Sequence, residues 1–106
     1  MAPPHLEAQI EGFMCQIRRT VTQRHAVHLV VSCDDSNGRL ILDAVPDGVS
    51  SWMVRSAGRV VTPTMNVVAS DVTLTCLHIL RAAFDENWME RQKLRYQQKL
   101  VAAKPN

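Results

Sequence analysis

The spacing of apolar residues changes twice along this chain of 106 residues, and these changes constrain the fold more than any other feature. Near the start, the segment LEAQIEGFMCQIRRTVTQR has apolar residues in steps of three and four, which predicts one amphipathic helix. Glu7 and Glu11 near its start and Arg18 and Arg19 near its end suit the helix dipole. Its apolar stripe consists of Leu6, Ile10, Phe13, Met14, Ile17 and Val21.

The middle of the chain has the period of β-strands. HAVHLVVSC is rich in β-branched residues and would place Val27, Leu29 and Val31 on one face of a strand. A polar turn cluster follows at residues 34–38, and RLILDAV after it is either a strand or an extended loop. The stretch SSWMVRSAGRVVTPT, residues 50–64, predicts a hairpin around a glycine turn.

A second helical stripe begins near residue 70, where Ser70 or Asp71 can act as the N-cap. Beyond residue 85 the sequence still favours helix, with fewer apolar residues and a basic surface. The stripe consists of Val72, Cys76, Ile79, Leu80, Ala83 and Phe84.

These segments predict an α+β fold in the order helix, three to four antiparallel strands, helix (αβββα). Packing both helices on one face of the sheet buries both stripes. We expect a disordered start at residues 1–5, one domain at residues 6–90, and a basic helical extension and tail at residues 91–106. The sheet face without helices, or a free sheet edge, is where a partner is expected.

The hairpin raises a question about Arg55 and Arg59, one on each side of its turn. A three-residue Ser56-Ala57-Gly58 loop places them opposite each other on one face, where like charges repel and a phosphate would relieve the repulsion. A two-residue Ala57-Gly58 turn separates them onto opposite faces. The register therefore decides whether the two side chains form an anion site.

Charge is distributed unevenly along the chain. Residues 1–90 carry seven basic and ten acidic side chains, whereas residues 91–106 carry five basic and no acidic ones. Nine of the twelve basic residues are arginine, whose planar guanidinium suits phosphate groups. The basic terminal segment favours a polyanionic partner, and a solvated helix end is the alternative.

The three cysteines lack a disulfide pattern, which favours reduced thiols in a cytoplasmic protein. The start of the sequence is unlike a secretory signal, and no apolar run is long enough for membrane insertion. Cys15 and Cys76 fall on the helix stripes, so both are predicted to lie in the core.

The sequence predicts neither catalysis nor a cofactor. His25 and His28 are three residues apart in a strand, so they point to opposite faces and cannot share a metal ion. Cys33 with the two acids that follow it, Asp34 and Asp35, is a second candidate metal site. Turn formation explains the acids, and burial explains the cysteine. No acid, base and nucleophile set is recognisable, so we expect no enzyme activity, no metal and no cofactor.

Several segments resemble the Alu-domain proteins of the signal recognition particle, its nine- and fourteen-kilodalton subunits. LEAQIEGFMCQI followed by HAVHLVVS is similar to the first helix and strand of the larger subunit, and WMVRSAGRVV is similar to its second strand, turn and third strand. Asn37-Gly38-Arg39 and Pro46-Asp47 resemble the two ends of its first loop. VVASDVTLTCLHILRAAF resembles the approach to its last helix, with Leu-Arg-Ala at residues 80–82.

The resemblance implies a helix, three strands, helix fold and a dimer of two such units whose sheets join. It further implies binding of structured RNA, and a role in pausing translation while a nascent chain is targeted to the membrane. Three arginines match basic positions of the family, namely Arg39, Arg55 and Arg59. The basic residues Arg91, Lys93, Arg95 and Lys99 resemble the family's basic tail more loosely.

The leading hypothesis is therefore a non-enzymatic RNA-binding subunit of a cytoplasmic ribonucleoprotein, paired with a second subunit as a heterodimer or homodimer. Its phosphate contacts would come from Arg39, Arg55 and Arg59. The alternative is a protein-interaction module of the same fold, such as a homodimeric chaperone, an adaptor or a small viral or phage inhibitor. In that case apolar surface such as Trp52, Trp88 and Met89 would matter more than the arginines.

Overall fold

Two helices and four strands make up the part of the chain that the computed structural model describes, which is residues 4–33 and 38–85 with positions 94 and 98. The elements follow in the order α1 (Pro4–Thr22), β1 (Val27–Ser32), β2 (Arg39–Pro46), β3 (Ser51–Gly58), β4 (Thr62–Val68), a short 3-10 turn (Ala69–Asp71) and α2 (Val72–Phe84). The antiparallel sheet has the strand order β1-β2-β3-β4, so each strand pairs with its neighbour in sequence. The predicted α+β fold is confirmed, and RLILDAV is a strand.

Both helical stripes pack on the same face of the sheet. The core-facing residues of the strands alternate with exposed ones, as the period of a strand requires. All six residues of the predicted α2 stripe are buried, and so are Leu6, Ile10, Met14 and Ile17 of α1. Between the two helices, Arg81 of α2 donates to both carboxylate oxygens of Glu7, at 2.8 and 3.3 Å. Burial of both apolar stripes therefore accounts for the position of the helices.

Helix α1 begins at Pro4, two residues before its predicted start, because proline is favourable in the first turn of a helix. At its other end, the N–H of His25 donates to the carbonyl of Thr20 and that of Arg24 to Val21. Arg24 adopts φ 55°, a left-handed conformation usual for glycine at this position. The Arg24 guanidinium donates to the carbonyls of Gly48 at 2.8 Å and Val49 at 2.9 Å, which ties the end of α1 to the β2–β3 loop.

The β3–β4 hairpin has neither of the two expected turns. Strand β3 ends at Gly58 and β4 begins at Thr62, so the connection is made by residues 59–61, and Ser56 pairs with Thr62. The Ser56 N–H donates to Thr62 Oγ1 at 3.0 Å, and Val60 is buried in the core. Because this later turn buries Val60 and satisfies the buried Ser56, both predicted registers are wrong.

Helix α2 has one of its two predicted N-cap residues at its start, but without a side-chain hydrogen bond. Asp71 occupies the N-cap position but makes no side-chain capping bond. Instead, Thr75 Oγ1 donates back to the Asp71 carbonyl at 2.8 Å.

Among the described residues, no helix is both long and apolar enough to cross a membrane.

Candidate binding surface on the uncovered sheet face

The helices cover one face of the sheet, and we call the opposite one the open face. Strand alternation and pairing register place one set of side chains there. The set comprises His28, Val30, Ser32, Arg39, Ile41, Asp43, Val45, Ser51, Met53, Arg55, Ala57, Asn66 and Val68. No described helix packs on this face, and its side chains are exposed or partly exposed.

A row of three polar side chains crosses the open face on adjacent strands. His28 on β1 pairs with Asp43 on β2, and Asp43 pairs with Arg55 on β3. His28 Nδ1 lies 2.5 Å from Asp43 Oδ1, and Arg55 Nε lies 3.7 Å from Asp43 Oδ2. The side chain of Asp43 is only 23% exposed, against 67% for His28 and 66% for Arg55. One carboxylate therefore holds two exposed nitrogen-bearing side chains in line.

Apolar side chains lie on both sides of this polar row. Val30, Ile41 and Ala57 form the row on one side, and Val45 and Met53 lie on the other. Val30 is 50% exposed and Val45 is 47% exposed, values typical of a surface rather than a core. The open face thus has apolar side chains on both sides of a central ion pair.

The three arginines of the predicted RNA site do not converge. Arg39 and Arg55 both lie on the open face, but Arg39 is four residues from Asp43 along β2, or roughly 13 Å. Arg59 is half-buried in the turn, and its guanidinium lies 3.5 Å from the carbonyl of Asp85 at the end of α2. A cation at this place suits the negative end of the helix dipole. Arg55 does not face Arg59; it is paired with Asp43.

The remaining predicted contacts, Arg91, Lys93, Arg95 and Lys99, lie outside the described residues, as do Trp88 and Met89. Trp52 is described and is buried in the core, so it is not part of the open face.

Asp43 is the site residue that the sequence analysis missed. It stands between Ile41 and Val45, and both of these also point to the open face. The position of Asp43 between the buried residues Leu42 and Ala44 could have placed its carboxylate on the open face. Its pairing with Arg55 could not be predicted, because that depends on the register between β2 and β3.

The cysteines are placed differently from one another. Cys33 and Cys76 are buried, whereas Cys15 is exposed, so the prediction of a core position was right for Cys76 and wrong for Cys15. Cys15 follows Met14 of the stripe by one residue, and a step of about 100° around the helix turns it to solvent. Burial raises the pKa of the Cys76 thiol from 9.0 to about 11.

We expect one fast-reacting thiol in the native protein, measured with an aromatic disulfide reagent at neutral pH. Cys15→Ser should remove the fast phase, and Cys76→Ser should leave it unchanged, because only exposed thiolates react readily. Three thiols should react after denaturation. A fast phase that survives Cys15→Ser would contradict the assignment.

The raised pKa of Cys76 also has a consequence for stability at high pH. The unfolded chain releases this proton at lower pH than the folded chain does, so alkaline pH favours unfolding. The contribution is present below about pH 9 and is lost as the pH rises toward 11.

Among the described residues, no group of three or more His, Cys, Asp or Glu side chains could hold a metal ion. Comparison with known proteins finds no matching family model, no matching curated protein and no matching solved structure.

Proposed function

We propose that this protein is a non-enzymatic interaction module that binds a partner protein through its open face. The observation that carries the proposal is the set of partly or largely exposed apolar side chains around the Asp43 row, namely Val30, Ile41, Val45, Met53, Ala57 and Val68. Exposed apolar side chains grouped on one face of a small protein are typical of an interaction site.

The charges on the open face favour a protein over a nucleic acid. Asp43 lies beside Arg55 and offsets its charge, so a phosphate approaching Arg55 also meets a carboxylate. In a protein interface the same row is useful, since a central arginine surrounded by apolar contacts is a common source of binding energy. The Arg55 Nη atoms can donate to carboxylates or carbonyls of the partner. In the His28 tautomer that donates from Nδ1 to Asp43, Nε2 can accept a hydrogen bond from a partner N–H or O–H group.

Binding of structured RNA, as a subunit of a cytoplasmic ribonucleoprotein similar to the Alu-domain proteins, is our second proposal. It is supported by Arg39 and Arg55 on a common face and by the five basic residues at positions 91–106. Contacts of this type would be made to phosphates and would weaken steeply with salt.

Affinity capture from an extract of the producing cell distinguishes the two proposals. We expect the wild-type chain to retain a protein partner after ribonuclease treatment, and Met53→Glu to reduce its recovery at least about tenfold, because a buried charge at the centre of an interface costs over ~1.4 kcal/mol. Leu74→Glu is the matched control, since Leu74 is exposed on α2 away from the open face.

The RNA proposal makes the opposite prediction. It expects capture to be abolished by ribonuclease and by the double variant Arg39→Ala, Arg55→Ala, and to be insensitive to Met53→Glu.

For the protein-partner proposal, loss of the partner with Leu74→Glu to the same extent as with Met53→Glu would contradict binding at the open face.

A further inference from the structure

The two edges of the sheet differ in how well they are protected against pairing with another chain. Among the described residues, β1 and β4 are the edge strands. Strand β4 contains Pro63, and its ladder with β3 shifts register between Val54 and Ser56. Proline and irregular pairing are two common protections of a sheet edge. Strand β1, with the sequence VHLVVS, has no proline, no lysine and a continuous register along its whole length.

The outer edge of β1 presents hydrogen-bonding groups at alternate residues. The N–H of Cys33 donates to the carbonyl of Gly38, which makes these two residues a hydrogen-bonded pair at the end of the β1–β2 ladder. Because hydrogen-bonded pairs alternate along an antiparallel ladder, Val31, Leu29 and Val27 also bond toward β2. The N–H and C=O groups of His28, Val30 and Ser32 therefore point away from the sheet.

We propose that a second copy of this chain pairs with the free edge of β1, antiparallel and around a two-fold axis at Val30. The two four-stranded sheets then form one continuous sheet with the helices of both copies on the same side. The proposal concerns the edge of the sheet and does not depend on what binds the open face.

The sequence of β1 is complementary to itself in this register. Val30 meets Val30 of the second copy on the open face, and Leu29 meets Val31 on the core side. His28 meets Ser32, so polar side chains lie together. Moving the axis to Leu29 would place His28 opposite Val30, which is a poorer match. A shift by one residue in one strand would place core-facing side chains opposite open-face ones, which the pleat of the sheet forbids.

The structure also leaves room beside β1 on the helix side. A groove between α1 and the start of β1 is lined by Gln16, Ile17 and Thr20 of the helix and by residues 26–29. A second copy on this edge would cover the groove with its own helical layer. It would also extend the open face across both copies, since the two-fold axis is perpendicular to the sheet.

Analytical ultracentrifugation of the full chain over a range of concentrations tests the proposal. We expect the wild type to approach twice its chain mass of 11.9 kDa. Val30→Pro removes an outward N–H that β2 does not use, and loss of the two bonds of the central pair should weaken dimerisation about 10- to 100-fold. Val30→Ala keeps the N–H and should remain largely dimeric. Asn66→Pro makes the same change at an outward position of β4, and it should dimerise as the wild type does.

Amide hydrogen exchange gives a second readout that needs no variant. We expect the amides of His28, Val30 and Ser32 to become protected as the concentration rises, and the amide of Asn66 to remain unprotected. A wild-type chain that stays monomeric at high concentration would overturn the proposal, and so would a Val30→Pro dimer or dissociation by Asn66→Pro. Met53→Glu should leave the dimer intact, which separates this proposal from partner binding at the open face.

Discussion

Replacing Gly58 with alanine is expected to lower the free energy of unfolding by about 3 kcal/mol or more, the sum of a strained backbone and a steric clash. Gly58 has φ 90°, and a Cβ atom built there would lie 1.9 Å from the carbonyl oxygen of Arg39. That oxygen accepts the N–H of Arg59 at 2.7 Å, so the strand cannot move away without losing the hydrogen bond that begins the turn. Chemical denaturation followed by circular dichroism measures the change.

Two other glycines are controls for the separate contributions. Gly48 has φ 83° but open space around its missing Cβ, so Gly48→Ala should cost only about 1–2 kcal/mol of backbone strain. Gly12 lies within α1, also with open space, and Gly12→Ala should raise stability by roughly 0.5–1 kcal/mol. Equal losses for Gly58→Ala and Gly48→Ala would contradict the close approach of Gly58 to β2.

Trp52→Ala is the second substitution with a large expected effect, a loss of about 3–5 kcal/mol. Trp52 is 1% exposed and is among the largest fully buried side chains of the protein. Small domains are stable by only about 5–15 kcal/mol, so a cavity of this size removes a large part of the total. Circular dichroism is the appropriate signal in a urea titration, because the substitution removes one of the two tryptophans.

Two control substitutions test whether the loss of stability in Trp52→Ala comes from the cavity in the core. Trp52→Phe keeps an aromatic ring in the core and should cost clearly less than Trp52→Ala. Val49 lies in the β2–β3 loop and its side chain is 92% exposed, so Val49→Ala should change the free energy of unfolding by under about 0.5 kcal/mol. A Trp52→Ala loss no larger than that of Val49→Ala would show that Trp52 is not a core residue.

The buried side of each helix was predictable because the spacing of apolar residues within the helix is enough to identify it. In α2 the spacing from Val72 to Phe84 is enough to identify every buried position, since a helix repeats every 3.6 residues regardless of what covers it. The alternation of Val27, Leu29 and Val31 predicted that these residues share one face of β1, and the structure shows that this face is the buried one. The prediction was wrong at the edge of a stripe. Cys15 is one residue after the buried Met14, and this single step around the helix turns its side chain to solvent.

The candidate site was less predictable because it depends on contacts between strands. The two arginines of the hairpin were considered in relation to each other, whereas the structure pairs Arg55 with Asp43 on a different strand. Arg59 instead reaches the end of α2, which is distant in sequence. Neither contact follows from spacing within one segment.

The sequence by itself determined the order helix, strands, helix, the buried side of each helix and which residues of β1 share a face, because local periodicity controls these features. It left open whether RLILDAV is a strand. Only the tertiary structure decided where the β3–β4 turn lies and which charges meet on the open face. The turn position depends on burying Val60 and on satisfying Ser56 through Thr62, and both require the assembled sheet. The resulting register places Asp43 between His28 and Arg55, since a residue's neighbours in a sheet are set by the pairing of whole strands.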